Sequence, residues 1–146
     1  MSTVTSPTTE LDPKSICVRF MFSYQRRDVA GMLDYCSGDA TIHFLPLGDA
    51  GNGKVRELGK AIWEGLIASF PDLDNTVDLT VATDNDDIRC QVVIRGTQAA
   101  DFADIQNKGL HFESDHIFIF RLNDADQIEH ISIEWDHADL KKQLGN

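Results

Sequence analysis

The chain has 146 residues, enough for one domain with a sizeable core, and its apolar fraction of 42% is ordinary for a globule. Thirteen Lys and Arg against 24 Asp and Glu give a net charge of −11, which repels phosphate backbones and anionic surfaces, so neither nucleic acid nor membrane is an expected partner. No apolar run approaches the roughly 20 residues that span a bilayer.

Residues 1–10 are Ser/Thr-rich and read as a mobile tail, without the basic start and apolar centre of a secretory signal. The expected location is therefore cytoplasmic and reducing. Cys17, Cys36 and Cys90 stand far apart in apolar contexts, which suits small buried hydrophobes rather than a disulfide or metal set. Residues 11–146 read as a single domain, with no internal repeat.

Asp12-Pro13 reads as an N-cap followed by Pro at the first helical position. Ile16, Phe20 and Tyr24 then recur at i+4, giving an amphipathic helix whose aromatic stripe suits a core or a pocket wall. Arg26 and Arg27 suit its C-terminal end. Asp28 caps a second, short helix carrying Val29, Met32, Leu33 and Cys36. Thr41 to Leu47 predicts a short strand stopped at Pro46, with His43 on the face of Thr41 and Leu45. Gly48 to Val55 has the spacing of a phosphate loop, but Val55 replaces the hydroxyl residue that binds magnesium. It reads as a Gly-rich connector. A third helix follows, with Leu58, Ile62, Leu66 and Phe70 on one face and Trp63 off that stripe, at a pocket rim or an interface.

From residue 75 the period changes from helix to strand. Strands are predicted over Thr76–Val81, Ile88–Arg95, a long apolar segment from Gly109 to Arg121, and Gln127–Trp135. Ala99 to Lys108 is a loop carrying Phe102 and Ile105, and Asp136 begins a last helix. Helices followed by an antiparallel meander make an α+β domain. Helices laid across the concave face of a strongly curved sheet leave an apolar cavity suited to a small ligand.

The pieces Phe70-Pro71-Asp72-Leu73, Gly96-Thr97, Ile119-Phe120-Arg121 and Ile128-Glu129-His130, leading to Trp135-Asp136 and Lys142-Gln143-Leu144-Gly145, occur in order over about residues 12–145. This pattern resembles the SnoaL-like polyketide cyclases of the nuclear transport factor 2-like superfamily. The resemblance implies a cone-shaped α+β fold with a mixed or antiparallel sheet. It also implies a homodimer or higher oligomer, no cofactor, and an intramolecular aldol ring closure on a polyketide ester. Two positions depart from the family pattern. Gln98 stands where His usually follows Gly-Thr, and Phe118 stands where the family places its catalytic Asp.

Aldol-type chemistry needs a base for a proton between two carbonyls and a donor for the enolate oxygen. Strand parity puts Phe112, Ser114, His116, Phe118 and Phe120 on one face, and Asp115 on the other. If Phe118 points inward as the family position does, His116 points there too and stands in for the usual Asp as general base. Asp115, His43 and Glu134 are the further catalytic candidates. Arg95, Gln91, Phe118, Tyr24 and Trp63 are the candidate substrate contacts. His111 and His116 fall on opposite strand faces, so no metal pair is expected. The expected protein is a cofactor-independent cyclase or isomerase acting on a small apolar carbonyl compound. The alternative is a non-catalytic ligand-binding or dimerisation module of the same fold.

Overall fold

The computed structural model describes residues 12–146; the predicted tail lies outside the described residues. Asp12 caps α1 (Pro13–Gln25) by accepting the Ser15 N–H at 2.8 Å, and Pro13 occupies the first turn. The buried face of α1 includes Ile16, Phe20, Met21 and Tyr24. Asp28 caps α2 (Val29–Asp34) through the Gly31 N–H. Cys36, expected on that helix, instead opens β1 (Cys36–Phe44). Sheet pairing claims it: Cys36 lies beside Ile128, whose N–H bonds the Tyr35 carbonyl at 2.9 Å.

The strand stops at Phe44, where Leu45–Gly51 winds into 3-10 turns kinked at Gly48, with φ 62°. The kink needs a left-handed backbone, which glycine supplies without strain. Asn52–Lys54 forms β2, antiparallel to β1. The stretch with phosphate-loop spacing is thus a connector whose last residues are committed to the sheet.

Val55–Gly59 is a π-helical turn leading into α3 (Lys60–Ser69). The wide turn shifts the phase of everything after it. Trp63, expected off the buried stripe, is 0% exposed, while Ile62 and Leu66 are half-buried. Gly59 makes room for that ring: a Cβ there would stand 3.2 Å from Trp63 Cζ3.

The strands β3 (Asp74–Ala82), β4 (Ile88–Thr97), β5 (His111–Leu122) and β6 (Ile128–Trp135) complete a six-stranded sheet of order β2-β1-β6-β5-β4-β3. Neighbours pair antiparallel except β1 and β6, which are parallel. Burial alternates strictly along β4, and along β5 every second residue from Phe112 to Phe120 is buried. One sheet face therefore carries the core and the helices, as expected for a curved α+β arrangement. Asp136 caps α4 (His137–Gln143) by accepting the Asp139 N–H at 3.0 Å. Cys17, Cys36 and Cys90 are free and buried, and burial pushes the Cys36 thiol up to about 12.

Candidate functional site

Between the sheet and the helices lies a cavity of about 70 Å³. Its walls are almost wholly apolar or aromatic. Tyr24 comes from α1, and Ile62, Trp63 and Leu66 come from α3. Phe112, His116 and Phe118 come from β5, and Ile133 and Trp135 from β6. Phe102, from the loop between β4 and β5, and His137 and Leu140, from α4, also line it, with Phe44, Leu47, Leu73 and Ile94. Trp63 anchors the wall, meeting Phe20 at 5.6 Å and Tyr24 at 6.1 Å between ring centroids.

His116 enters this cavity because it shares the inward parity of Phe118 on β5. Its cross-strand partner is Trp135, and the two rings stack at 5.3 Å and 19°. Nδ1 lies 3.2 Å from the Ser114 carbonyl. A carbonyl oxygen only accepts, so Nδ1 carries the proton and Nε2 keeps its lone pair. The ring is 8% exposed. Burial lowers its pKa to about 4, against the smaller opposing pulls of the Ser114 carbonyl and the Asp115 charge. At neutral pH His116 is an uncharged base in an apolar chamber.

Two other polar groups line the same space. Tyr24 is 2% exposed, and its hydroxyl makes no hydrogen bond among the described residues. Burial pushes that phenol upward, so it stays a donor. His137 opens α4 and meets Trp135 edge-on at 5.9 Å, with the Trp135 indole N–H donating to His137 Nδ1 at 3.2 Å. Sequence reasoning passed over His137. Its only local signal is its place just after the Asp136 cap, and nothing in the sequence says which way that turn faces.

Five of the expected site residues lie elsewhere. Asp115, His43, Glu134, Arg95 and Gln91 all occupy the outer face of the sheet, away from the cavity lining. Alternation decides this: in β4 the inward set is Cys90, Val92 and Ile94, so Gln91 and Arg95 turn out. Arg95 is bound to Asp74 at 3.3 Å and to Glu113 at 3.5 Å. Glu134 pairs with Ile117, and His43 with Ser132. Gln98 is 2% exposed and donates from Nε2 to the Ala100 and Ile105 carbonyls at 3.1 Å, which ties down the loop after β4.

Among the described residues no group of three or more His, Cys, Asp or Glu side chains converges to hold a metal ion. No described helix is long and apolar enough to cross a membrane.

A family model described as SnoaL-like polyketide cyclase matches residues 15–144. No curated protein matches the chain. Among solved structures, IdmH of Streptomyces antibioticus, provisionally named a polyketide cyclase, is 26% identical, with a TM-score of 0.77 over 93% of this chain and 100% of that one. TsrD of Streptomyces laurentii is 23% identical, with a TM-score of 0.77 over 93% and 98%. AclR of Streptomyces galilaeus, provisionally named a hydroxylase, is 20% identical, with a TM-score of 0.76 over 91% and 95%. At the identities of TsrD and AclR the likeness shows the fold alone. The family match runs from the first turn of α1 to the end of α4 and takes in every strand around the cavity: the chain belongs to the SnoaL-like polyketide cyclase family.

Proposed function

We propose that the protein is a cofactor-independent enzyme that uses acid–base chemistry on a small apolar carbonyl compound, in an intramolecular aldol-type cyclisation or an isomerisation. One observation carries the reading: a buried imidazole with a free Nε2 lone pair inside a largely apolar cavity. His116 Nε2 takes a proton from the carbon between two carbonyls, and the electron pair moves onto oxygen as an enolate. The enolate carbon attacks a further carbonyl of the same molecule, distinct from the two that flank it, and the new alkoxide recovers the proton from His116. The catalyst ends as it began.

With a pKa of about 4, the imidazole is a weak base for carbon acids. The enolate must therefore be stabilised, and the Tyr24 hydroxyl is suited to donate to it; one such donor is commonly worth ~10²–10³ in rate. Phe118, at the family's Asp position, stacks on Phe120 and serves as wall rather than acid. The cavity of about 70 Å³ is under half the ~150 Å³ that admits a benzene ring. Only the reacting carbonyl segment of the substrate fits inside it.

A non-catalytic ligand-binding module is the competing reading, favoured by the backbone hydrogen bond of His116. Ethyl acetoacetate separates the two readings through deuterium exchange at C2 in heavy water, followed by proton NMR. The full chain is expected to speed exchange and His116→Ala to abolish the effect, with circular dichroism unchanged. Exchange by His116→Ala at the wild-type rate would show that the base is another group. No acceleration by the wild type would favour the binding module. Self-association as a homodimer through the outer sheet face belongs to the same proposal. Leu79 there is 46% exposed, beside half-buried Val93, Ile117 and Ile119. Sedimentation velocity reading a monomer at micromolar concentration would exclude it.

A further inference from the structure

The cavity holds two imidazoles, and their hydrogen bonds fix opposite tautomers. His116 gives its Nδ1–H to the Ser114 carbonyl and keeps a lone pair on Nε2. His137 receives the Trp135 indole N–H on Nδ1 at 3.2 Å. An indole nitrogen only donates, so Nδ1 of His137 is unprotonated and the ring's proton sits on Nε2. One ring is an acceptor and the other a donor.

Trp135 sets both. It is the cross-strand partner of His116 and stacks on that ring at 19°. It meets His137 at 73°, two residues further along the chain. The Asp136 cap fixes His137 as the first residue of α4. The indole therefore spaces an acceptor and a donor within one apolar chamber lined by all three side chains.

We propose that His137 is a second catalytic residue, donating a hydrogen bond from Nε2 to a substrate carbonyl oxygen, and that Trp135 is the positioning residue that holds its tautomer. The inference rests on His116 acting as the base. Removing a proton from between two carbonyls spreads negative charge over two oxygens. Tyr24, nearly fully buried on α1, serves one of them. His137, half-buried on α4, serves the other. The substrate class that uses both donors is a 1,3-dicarbonyl compound, such as a β-keto ester, with one carbonyl deep in the cavity and one toward α4. His137 keeps its proton throughout. Losing it would leave an imidazolate, because the indole on Nδ1 has no acidic proton to pass on. The proton that closes the cycle is the one on His116.

The test uses the full chain with ¹⁵N-labelled histidine, and ethyl acetoacetate as probe. Ring nitrogen shifts are expected to place the His137 proton on Nε2 in the wild type, with that preference lost in Trp135→Phe. A proton on His137 Nδ1 in the wild type overturns the proposal at once. In C2 deuterium exchange, His137→Phe is expected to lower kcat by about 100-fold with little change in KM. His137→Gln, which keeps an N–H donor, is expected to recover part of that loss. If His137→Phe exchanges at the wild-type rate while His116→Ala is inactive, the donor role fails and the base stands. If His116→Ala is as active as the wild type, the base assignment itself fails and the donor role with it.

Discussion

Burial holds His116 at a pKa of about 4 against 6.5 for a free imidazole, so its proton balance differs between the folded and unfolded chain. Above pH ~6.5 both states are neutral and the ring adds nothing to pH dependence. Between ~6.5 and ~4 the unfolded chain binds a proton that the folded chain refuses, and stability falls by roughly 3 kcal/mol as pH drops through that window. Urea titrations across this range are expected to show the loss in the wild type and a smaller one in His116→Phe. The same pKa fixes the acid limb of catalysis. A base that works uncharged gives a kcat/KM that rises through pH ~4 and is level at neutrality. A limb near 6.5 in the pH–rate profile would assign the base to a more exposed histidine. That His116 shares a strand face with Phe118 was legible in the sequence, from strand alternation. The tautomer of His116 was not, because the Ser114 carbonyl and the Trp135 ring reach it only through backbone geometry and sheet register.

The pieces that mark the family are joined to one another at the level of elements. Asp72, after α3, accepts the Thr97 N–H at 2.7 Å, and the Thr97 hydroxyl meets His111 Nδ1 at 2.9 Å. The turn after α3 is thus clamped to the end of β4, and Asp72→Ala is expected to cost about 1 kcal/mol in chemical denaturation. At Gly59 two effects compete. Alanine gains up to ~1 kcal/mol in helical backbone preference. Its Cβ would stand 3.2 Å from Trp63, a fully buried ring packed against Phe20, Tyr24 and Phe44. Overpacking of this kind costs ~1–3 kcal/mol and wins, so Gly59→Ala is expected to lower Tm and to disturb the cavity wall. The third helix and its inward stripe of Leu58, Ile62, Leu66 and Phe70 were legible from its period, but the full burial of Trp63 beside that stripe was not. The π-helical turn at Val55–Gly59 changes the phase, and no residue pattern announces such a turn.

Across the whole molecule, a net charge of −11 sets up self-repulsion that the ion pairs offset little. The pairs among the described residues are mostly exposed, as in Lys60–Glu64 and Lys141–Asp104, and pairs of that kind are worth ~0–1 kcal/mol. Repulsion therefore outweighs local attraction. Raising the ionic strength, so that the Debye length falls from ~30 Å to ~3 Å, is expected to raise Tm. A flat or falling Tm in a salt series would show that specific pairs matter more than net charge. The outer sheet face concentrates residues that sequence reasoning placed in the site, including Asp115, Glu134 and Arg95. Alternation sends half of every strand there, and a polar residue on a strand carries no mark of which side it faces.

Beyond the family, which rests on pieces spread over about residues 12–145, the sequence by itself determined the order of elements apart from β2, the caps at Asp12, Asp28 and Asp136, and the two faces of β5. Each follows from contacts a few residues apart or from a period along one segment. Tertiary structure decided which face of each strand is inside, the inward turn of Trp63, and the meeting of His116, Trp135, His137 and Tyr24. Those four come from β5, β6, α4 and α1, and only the sheet register and helix packing bring them to one cavity. The chemistry depends on that convergence, because an imidazole lone pair and two hydrogen-bond donors become a catalyst only when water is excluded from the space they share.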